Sequence, residues 1–348
     1  MNTDRQYDAT ILIGRFQPFH NGHAALLEKA LEIGGRALVA LGSSFRSRDA
    51  RNPFTWEERA AMIRANLGEA EARRVTFIPV RDYYDDRRWA AAVEEGARMA
   101  LEQAGLAAPR VALVGFHKDA SSDYLGLFPH WPFVELERQG NIDATAIRRM
   151  YFGDAGAQTT PAAWQSLVPP ATVRYLEDWS ALPVFSAMRE EHRAVAAYRQ
   201  KWGTGPFVTL DAVVTAAGHV LLIRRKRAPG KGLWALPGGF LEGRERLLQG
   251  ALRELKEETG LDLAAATSGG APRAVAVFDH PDRSARGRII THAHWFDLPL
   301  ATPPAVAGAD DAAEARWFPV AGLPDMEAEL FEDHFPILGY FLAPSSPP

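Results

Sequence analysis

Residues 239–261 read GFLEGRERLLQGALRELKEETGL, the most constrained stretch of this chain. It predicts a helix over 244–258, in which Glu254, Glu257 and Glu258 stand at positions i, i+3 and i+4 and so share one face. Three neighbouring carboxylates repel one another unless cations neutralise them, and Mg²⁺ prefers oxygen ligands together with substrate phosphates. The stretch therefore predicts a site for Mg²⁺, with Mn²⁺ as a substitute, that bridges a pyrophosphate and activates water. The competing interpretation is a solvated acidic helix face.

Composition limits the class of protein. A chain of 348 residues predicts about two domains at roughly 150 residues each. The net charge of −4 argues against a nucleic-acid partner, which usually meets a basic face. The chain has no cysteine, so disulfides, thiolate metal sites and cysteine nucleophiles are excluded.

Hydropathy indicates the compartment. No apolar run approaches the ~18 residues that span a bilayer. Asp4, Arg5 and Asp8 precede the first apolar run, which argues against a signal peptide. We therefore expect a cytoplasmic protein without a membrane partner, and the sequence leaves a homo-oligomer open.

The first half alternates between two kinds of segment. Short apolar runs predict strands at 9–13, 37–41, 75–80 and 111–114, and periodic segments predict helices at 22–33, 56–67 and 87–104. This alternation is typical of a Rossmann-like, doubly wound parallel sheet with helices on both faces. Sites in such sheets lie at the carboxyl ends of the strands.

The second half begins after a helix rich in charge and alanine, predicted at 184–201. Gly203, Gly205 and Pro206 end that helix and mark the domain boundary. Strands are expected at 207–214 and 219–225 around a turn at Ala217-Gly218, and further on at 273–279, 288–298 and 315–318. The expected organisation is a first domain at 1–182, a linker helix at 183–204 and a second α/β domain with a mixed sheet at 205–348.

A second motif, GRFQPFHNGH, occupies residues 14–23 and joins the first strand to the first helix. His20 and His23 share a face of the first helical turn, and Gly22 lets a ligand approach the backbone. A helix N-terminus attracts phosphate, and two imidazoles there can donate hydrogen bonds to phosphoryl oxygens. The motif favours phosphoryl transfer by positioning and electrostatics, without a covalent nucleophile. The simpler interpretation is that both histidines cap or pack the helix.

The 14–23 motif resembles the signature of the nucleotidyltransferases and, more narrowly, of archaeal-type nicotinamide mononucleotide adenylyltransferases. The resemblance covers roughly residues 8–180. Further agreement is found at Gly42-Ser43-Ser44, at RNPFT (51–55) ahead of a helix with Glu57, Glu58 and Arg59, at Asp82 and Trp89, and at NIDATAIR (141–148). Asp143 departs from the family pattern, in which Ser is common.

This resemblance implies a role for each matched residue. Thr145 and Arg148 would hold the ATP phosphates beside His20 and His23. Asp82 and Trp89 would form the nicotinamide mononucleotide pocket, with the indole stacked on the nicotinamide ring. The remaining expected substrate-binding residues are Gly14, Arg15, Phe16, Gly42 and Arg51.

Simpler interpretations of these residues stay open. Trp89 alone predicts core packing as readily as stacking. Asp82 alone is compatible with a helix cap or a turn. The arginines after the second strand, Arg46, Arg48 and Arg51, indicate a phosphate site or a solvated charged turn with equal weight.

Residues 239–261 resemble the complete Nudix motif, with every fixed position filled. The segments at 224–239 and 280–288 resemble ADP-ribose pyrophosphatases. The resemblance implies that Glu254, Glu257 and Glu258 bind the metal and that Glu257 serves catalysis. It further implies that Arg253 orients Glu254 or Glu257, that Glu245 supports the metal site and that Gly239 offers it a carbonyl. The basic residues of the two flanking segments, among them Arg283, indicate contact with the substrate diphosphate or solvated loop charges with equal weight. The general base stays unassigned.

Taken together, the two motifs resemble the bifunctional nicotinamide mononucleotide adenylyltransferase/Nudix proteins. The resemblance implies two reactions: ATP and nicotinamide mononucleotide form NAD and pyrophosphate, and ADP-ribose is hydrolysed to AMP and ribose 5-phosphate. One alternative is a transferase with a different acceptor. Another is a Nudix half that acts as an ADP-ribose sensor or regulator, although sensors usually lose the carboxylates that this chain keeps.

Overall fold

The computed structural model describes residues 5–116, 125–137, 142–153, 163–263 and 271–342. The chain divides into two compact units, Met1–Arg189 and Glu190–Pro348. The division falls inside a long helix, α7 (Pro183–Trp202), where the sequence predicts a helix at 184–201. The domain limits drawn from the sequence stay a proposal. Among the described residues, no helix is both long and apolar enough to cross a membrane.

The first unit is built on a parallel sheet. Its strands within the described ranges are β1 (Tyr7–Gly14), β2 (Gly34–Leu41), β3 (Val75–Pro79), β4 (Val111–Gly115) and β5 (Phe133–Glu135), in the order β3-β2-β1-β4-β5. The helices are α1 (Asn21–Ile33), α2 (Trp56–Arg64), α3 (Glu69–Ala72), α4 (Asp86–Gln103), α5 (Ala144–Phe152) and α6 (Pro170–Ser180). The predicted doubly wound sheet is confirmed.

Both faces of this sheet are buried, as its continuous apolar strands require. On β1, Ile11 lies in one core cluster with Leu38 and Leu113, whereas Leu12 lies in the other with Val39. The helices pack on these two clusters through apolar residues that recur three or four positions apart, as on α1 and α4. The sheet is therefore fixed from both sides, and the loops after β1 and β2 emerge at one edge.

The second unit contains a mixed sheet. Its strands are β6 (Phe207–Ala216), β7 (His219–Arg225), β8 (Trp234–Ala235), β9 (Gly238–Phe240), β10 (Ala274–Phe278), β11 (Ile289–Leu298) and β12 (Ala312–Pro319). The order is β10-β11-β6-β7-β12, with β8 on β7 and β9 on β6. Strand β11 is parallel to β6 and the remaining pairs are antiparallel, so the predicted mixed sheet is confirmed. The helices are α8 (Leu247–Thr259) and α9 (His334–Leu342).

Helix α8 carries the acidic stretch but begins later than the predicted start at residue 244. Residues before Leu247 form a turn, in which the backbone N–H of Glu242 donates to the Glu245 carboxylate at 2.8 Å. Glu245 therefore lies ahead of the helix. Leu255 packs on the core, and Gly260 ends the helix at φ 72°. Burial of this apolar side turns the opposite, carboxylate-bearing side toward β9.

Candidate active sites

The two histidines of the 14–23 motif form one unit at the start of α1. His20 is the N-cap residue, and its Nδ1 accepts from the His23 N–H at 3.4 Å, while the His23 Nδ1 accepts from the His20 N–H at 3.4 Å. The rings stack with centroids 3.6 Å apart. Because both Nδ1 atoms act as acceptors, each ring in its neutral form carries its proton on Nε2.

The electrostatics keep His23 uncharged. Burial lowers the pKa of His23 well below its usual value, and the neighbouring His20 ring lowers it further. The edge of the Phe16 ring meets His23 with centroids 4.7 Å apart. A hydrogen bond between the His23 ring and the Pro18 backbone acts in the opposite direction and raises the pKa of His23. The helix-cap interpretation holds for Nδ1 of both rings, and their role as phosphate donors stays a prediction.

Arg59 joins the strand ends at this edge of the sheet. It is fully buried, and its Nη1 donates to the carbonyl of Arg15 at 2.6 Å and to that of Gly42 at 2.7 Å. The Gly42 N–H also donates to the Gly14 carbonyl at 3.0 Å. Burial lowers the pKa of Arg59 to about 10. The loops after β1 and β2 are thus held together by a cation that the predicted set of site residues did not include.

Arg148 reaches the same loops from α5. Its guanidinium donates to the Gln17 carbonyl at 2.6 Å, to the Ala50 carbonyl at 3.2 Å and to Thr145 Oγ1 at 3.3 Å. Burial lowers its pKa to about 10, and the nearby charge of Arg15 acts in the same direction. Arg148 and Thr145 therefore lie beside the histidine motif, and Arg148 helps to fix the motif's backbone.

Asp143, the residue that departs from the family pattern, is the N-cap of α5. Its carboxylate accepts from the Thr145 N–H at 3.0 Å. A serine there would cap the helix in the same way. The adjacent Asn141 lies outside the described residues.

Asp82 belongs to a network around the turn after β2. Its Oδ1 accepts from the N–H and the hydroxyl of Ser43 at 3.2 and 3.1 Å, and its Oδ2 accepts from Arg46 at 3.3 Å. Arg46 also pairs with Asp49 at 2.9 Å. Asp85, rather than Asp82, caps α4, so the helix-cap interpretation of Asp82 is wrong.

The arginines after β2 are not a simple solvated turn. Arg48 forms a two-bond ion pair with Glu58, and Arg46 pairs with two aspartates. The backbone N–H of Arg51 donates to Asp49 at 2.7 Å. These ion pairs order the loop that carries Arg51.

Trp89 lies on α4, partly buried against one of the two core clusters. Its ring centroid is 5.9 Å from that of Phe128 at a tilt of 60°. Phe128 stacks in turn on Trp131, with centroids 5.0 Å apart. These contacts favour a packing role, and stacking on a ligand stays a prediction.

In the second unit, Arg253 lies at the centre of the acidic cluster. Its guanidinium contacts Glu245 at 2.8 Å, Glu254 at 2.9 Å and Glu257 at 2.9 Å, and also donates to the Phe240 carbonyl at 3.2 Å. In the part of the chain that the structure describes, no group of three or more acidic or histidine side chains is arranged to hold a metal ion. The carboxylates instead gather around the arginine.

Glu258 is buried beside this cluster, close enough to Glu254 for their charges to interact. It is 5% exposed, and its carboxylate accepts from the Gly238 N–H at 2.9 Å. Burial raises its pKa to about 8, against the opposing effect of that hydrogen bond. Burial likewise raises the pKa of Glu254. A cation bound beside these carboxyls would lower both pKa values again.

Gly239 lies directly against the Glu254 carboxylate. A Cβ at this position would lie 2.3 Å from Glu254 Oε1, so any other residue would displace that carboxylate. The structure thus places Gly239 against Glu254. Its carbonyl as a metal ligand stays a prediction.

Sequence reasoning missed Asp211 on β6. This buried aspartate accepts from the Thr291 hydroxyl at 2.5 Å and stands opposite Gly238 in the strand register. Its charge also contributes to the raised pKa of Glu258. The available signal was one aspartate in the apolar run 208–214.

Arg283 is placed differently from the prediction. It is buried in a bidentate ion pair with Asp333, at 2.8 and 3.0 Å. This geometry assigns Arg283 a structural role, and substrate binding by Arg283 stays a prediction that its burial does not support. The neighbouring Arg286 lies among aromatic rings instead.

Comparison with known proteins separates the chain into the same two parts. Residues 11–150 match the Cytidylyltransferase-like family model, and residues 205–341 match the NUDIX domain model. A nicotinamide/nicotinic acid mononucleotide adenylyltransferase of Acinetobacter baylyi is 33% identical over 190 residues, 54% of this chain and 95% of that protein. An ADP-ribose pyrophosphatase of Methanocaldococcus jannaschii is 39% identical over 121 residues, 35% of this chain and 66% of that protein.

The whole chain resembles the solved structure of a bifunctional NMN adenylyltransferase/ADP ribose pyrophosphatase of Francisella tularensis, complexed with AMP and a manganese ion. That protein is 32% identical to this chain, with a TM-score of 0.85. The match covers 97% of this chain and 98% of that structure.

Proposed function

The chain belongs to the family of bifunctional nicotinamide mononucleotide adenylyltransferase/ADP-ribose pyrophosphatases, and from that premise we propose one reaction for each unit. The first unit transfers the adenylyl group of ATP to nicotinamide mononucleotide and releases pyrophosphate. The second unit hydrolyses ADP-ribose to AMP and ribose 5-phosphate. The paired histidines at the start of α1 and the acidic cluster around Arg253 support these assignments.

In the first reaction, the 5′-phosphate of the mononucleotide attacks the α-phosphorus of ATP. His20 and His23 donate from Nε2 to phosphoryl oxygens as negative charge develops there. Arg148 adds positive charge at the same edge of the sheet, and its bonds to the motif backbone keep it in place. No residue needs to become covalently attached, because positioning and charge carry phosphoryl transfer.

The remaining first-unit residues select and hold the substrates. Asp82 and Trp89 would take the mononucleotide, and Thr145 would contact ATP phosphate. The supporting substrate-binding set is Gly14, Arg15, Phe16, Gly42 and Arg51. Arg59 acts through this set, because it fixes the backbone of Arg15 and Gly42.

The second reaction depends on a divalent cation, which we propose to be Mg²⁺, with Mn²⁺ as a substitute. The donors are hard oxygen ligands, and the raised pKa of buried Glu258 fits a site whose charge a cation completes. Glu254, Glu257 and Glu258 would hold the metal, with the Gly239 carbonyl and Glu245 in support. Such a cation, when bound, polarises the diphosphate and lowers the pKa of bound water.

Arg253 positions the carboxylates of this site. Its guanidinium contacts Glu245, Glu254 and Glu257 at once, so it limits the rotamers that each can adopt. We propose that these contacts keep the acidic face ordered before substrate arrives. Arg283 acts only indirectly, through its buried pair with Asp333.

The test is to supply each substrate to one preparation of the full chain. With ATP and Mg²⁺, nicotinamide mononucleotide should yield NAD and pyrophosphate, and a nicotinate mononucleotide assay alongside it would define the preference. With Mg²⁺ alone, ADP-ribose should yield AMP and ribose 5-phosphate. Product formed only with another mononucleotide acceptor would replace the first assignment. Tight ADP-ribose binding without hydrolysis would replace the second with a sensor.

A further inference from the structure

Three aromatic rings from three elements meet in the second unit. They belong to Tyr198 on α7, Phe207 at the start of β6 and Phe240 at the end of β9. The rings of Tyr198 and Phe240 are nearly parallel, at 19°, with centroids 6.2 Å apart. Phe207 stands edge-on to both, with centroids 6.0 and 5.9 Å away. Phe207 therefore supports a pair of parallel rings.

This cluster adjoins the acidic site through the backbone. Phe240 follows Gly239, which packs against Glu254, and the Phe240 carbonyl accepts from Arg253 at 3.2 Å. The Phe240 side chain is nevertheless 36% exposed. A phenylalanine whose main chain is held by the acidic cluster thus presents part of its ring to solvent beside that cluster.

A fixed cation accompanies the rings. The guanidinium carbon of Arg286 lies 5.9 Å from the ring centroids of both Tyr198 and Phe240. Arg286 is held by Glu332 at 3.2 Å and by the Ser284 hydroxyl at 3.2 Å. Aromatic faces combined with an ordered guanidinium suit a planar, electron-rich ring that carries phosphate.

We propose that Tyr198 and Phe240 form the stacking surface for the adenine base of ADP-ribose, with Arg286 at its edge; this assignment rests on the proposed hydrolase function. Adenine is the one aromatic group of ADP-ribose, so an aromatic surface beside a diphosphate site recognises that end of the molecule. Tyr198 precedes residue 205, where the match to the NUDIX domain begins. The long helix α7 therefore contributes a substrate-specificity residue to the hydrolase rather than serving only as a connection.

The experiment measures ADP-ribose hydrolysis by full-length Tyr198→Ala and Phe240→Ala. Each is expected to raise KM about 10-fold, the size of one lost base–aromatic stacking contact, with the effect on KM rather than kcat. Tyr198→Phe should recover most of the affinity that Tyr198→Ala loses, because it restores a ring. The matched control is Tyr340→Ala, which removes a ring on α9 that is 60% exposed and outside the cluster.

Product inhibition separates the two ends of the substrate. In both alanine variants, competitive inhibition by AMP should weaken about as much as KM rises, whereas inhibition by ribose 5-phosphate should stay at the wild-type level. Equal weakening of both inhibitors, or an unchanged KM, would overturn the assignment. An unchanged kcat for ADP-ribose hydrolysis verifies that the second unit is folded, and normal NAD synthesis verifies the same for the first unit.

Failure of the proposed hydrolase function gives a different result from failure of the stacking assignment. A wild-type chain that binds ADP-ribose but does not hydrolyse it would refute the hydrolase and leave the stacking surface open to a direct test. Calorimetry with ADP-ribose would then decide. Weaker binding by Phe240→Ala than by Tyr340→Ala supports the surface, and equal binding by the two variants refutes it.

Discussion

Glu258→Gln should stabilise the metal-free protein at alkaline pH. Glu258 is buried, and its carboxylate accepts from the Gly238 N–H. Glutamine has nearly the same shape and keeps an oxygen to accept that bond. The substitution therefore removes the ionisable group while the packing around β9 and α8 is retained.

The magnitude follows from the pKa of Glu258, which burial raises from 4.5 to about 8. Between these values the folded protein keeps a proton that the unfolded chain has released, so the free energy of unfolding falls as pH rises. At 1.36 kcal/mol per pKa unit, this loss grows by about 2–3 kcal/mol between roughly pH 6 and pH 9. The glutamine variant lacks this loss, so its advantage over wild type should grow by the same amount.

The assay is urea unfolding of wild type and Glu258→Gln in EDTA across that pH range. If the difference in unfolding free energy between wild type and Glu258→Gln stays constant with pH, Glu258 does not retain its proton in the folded protein. Adding Mg²⁺ at alkaline pH provides the second readout. The wild type should gain more stability from the metal than the variant, because only the wild type adds the Glu258 carboxylate to the ligands that Glu254 and Glu257 supply in both proteins.

Three further substitutions test the two sites. His23→Ala should lower adenylyl transfer by about 10²–10³, the usual effect of losing one transition-state donor, while ADP-ribose hydrolysis persists; near-normal NAD synthesis would remove His23 from the mechanism. Trp89→Ala should raise KM for the mononucleotide more than for ATP if the indole stacks on nicotinamide, whereas equal effects or lost stability would establish packing. Glu257→Gln should lower hydrolysis by orders of magnitude with NAD synthesis unchanged, and intact Mg²⁺-dependent hydrolysis would contradict its role as a ligand.

Features set by local spacing could be predicted from the sequence. The acidic helix follows from carboxylates three and four residues apart, and the histidine pair follows from a separation of three. The four apolar runs of the first half correspond to β1–β4, since each strand is buried on both faces and reads as continuously apolar. The start of α8 was missed because the turn that holds Glu245 depends on a bond from the Glu242 backbone.

Features set by long-range contacts could not be predicted in this way. Helical periodicity places Arg59 on α2, but its hydrogen-bond acceptors lie 44 and 17 residues away in sequence. Arg283 looked like a phosphate ligand because it lies in a basic segment, yet its partner Asp333 is 50 residues further on. In both cases the sequence shows a charged residue, but the fold determines which partner its guanidinium contacts.

The charge balance of the acidic helix was only partly predicted. Clustered carboxylates need a neighbouring cation, and the sequence predicts a metal ion in that role. In the described structure, Arg253 already provides that charge to Glu254 and Glu257 at 2.9 Å each. Each of these contacts uses one carboxylate oxygen, Oε1 of Glu254 and Oε2 of Glu257. Because a carboxylate has a second oxygen, a metal ion can bind there while the guanidinium keeps its contact. Arg253 is thus a positioning residue whose contacts are compatible with a bound metal ion.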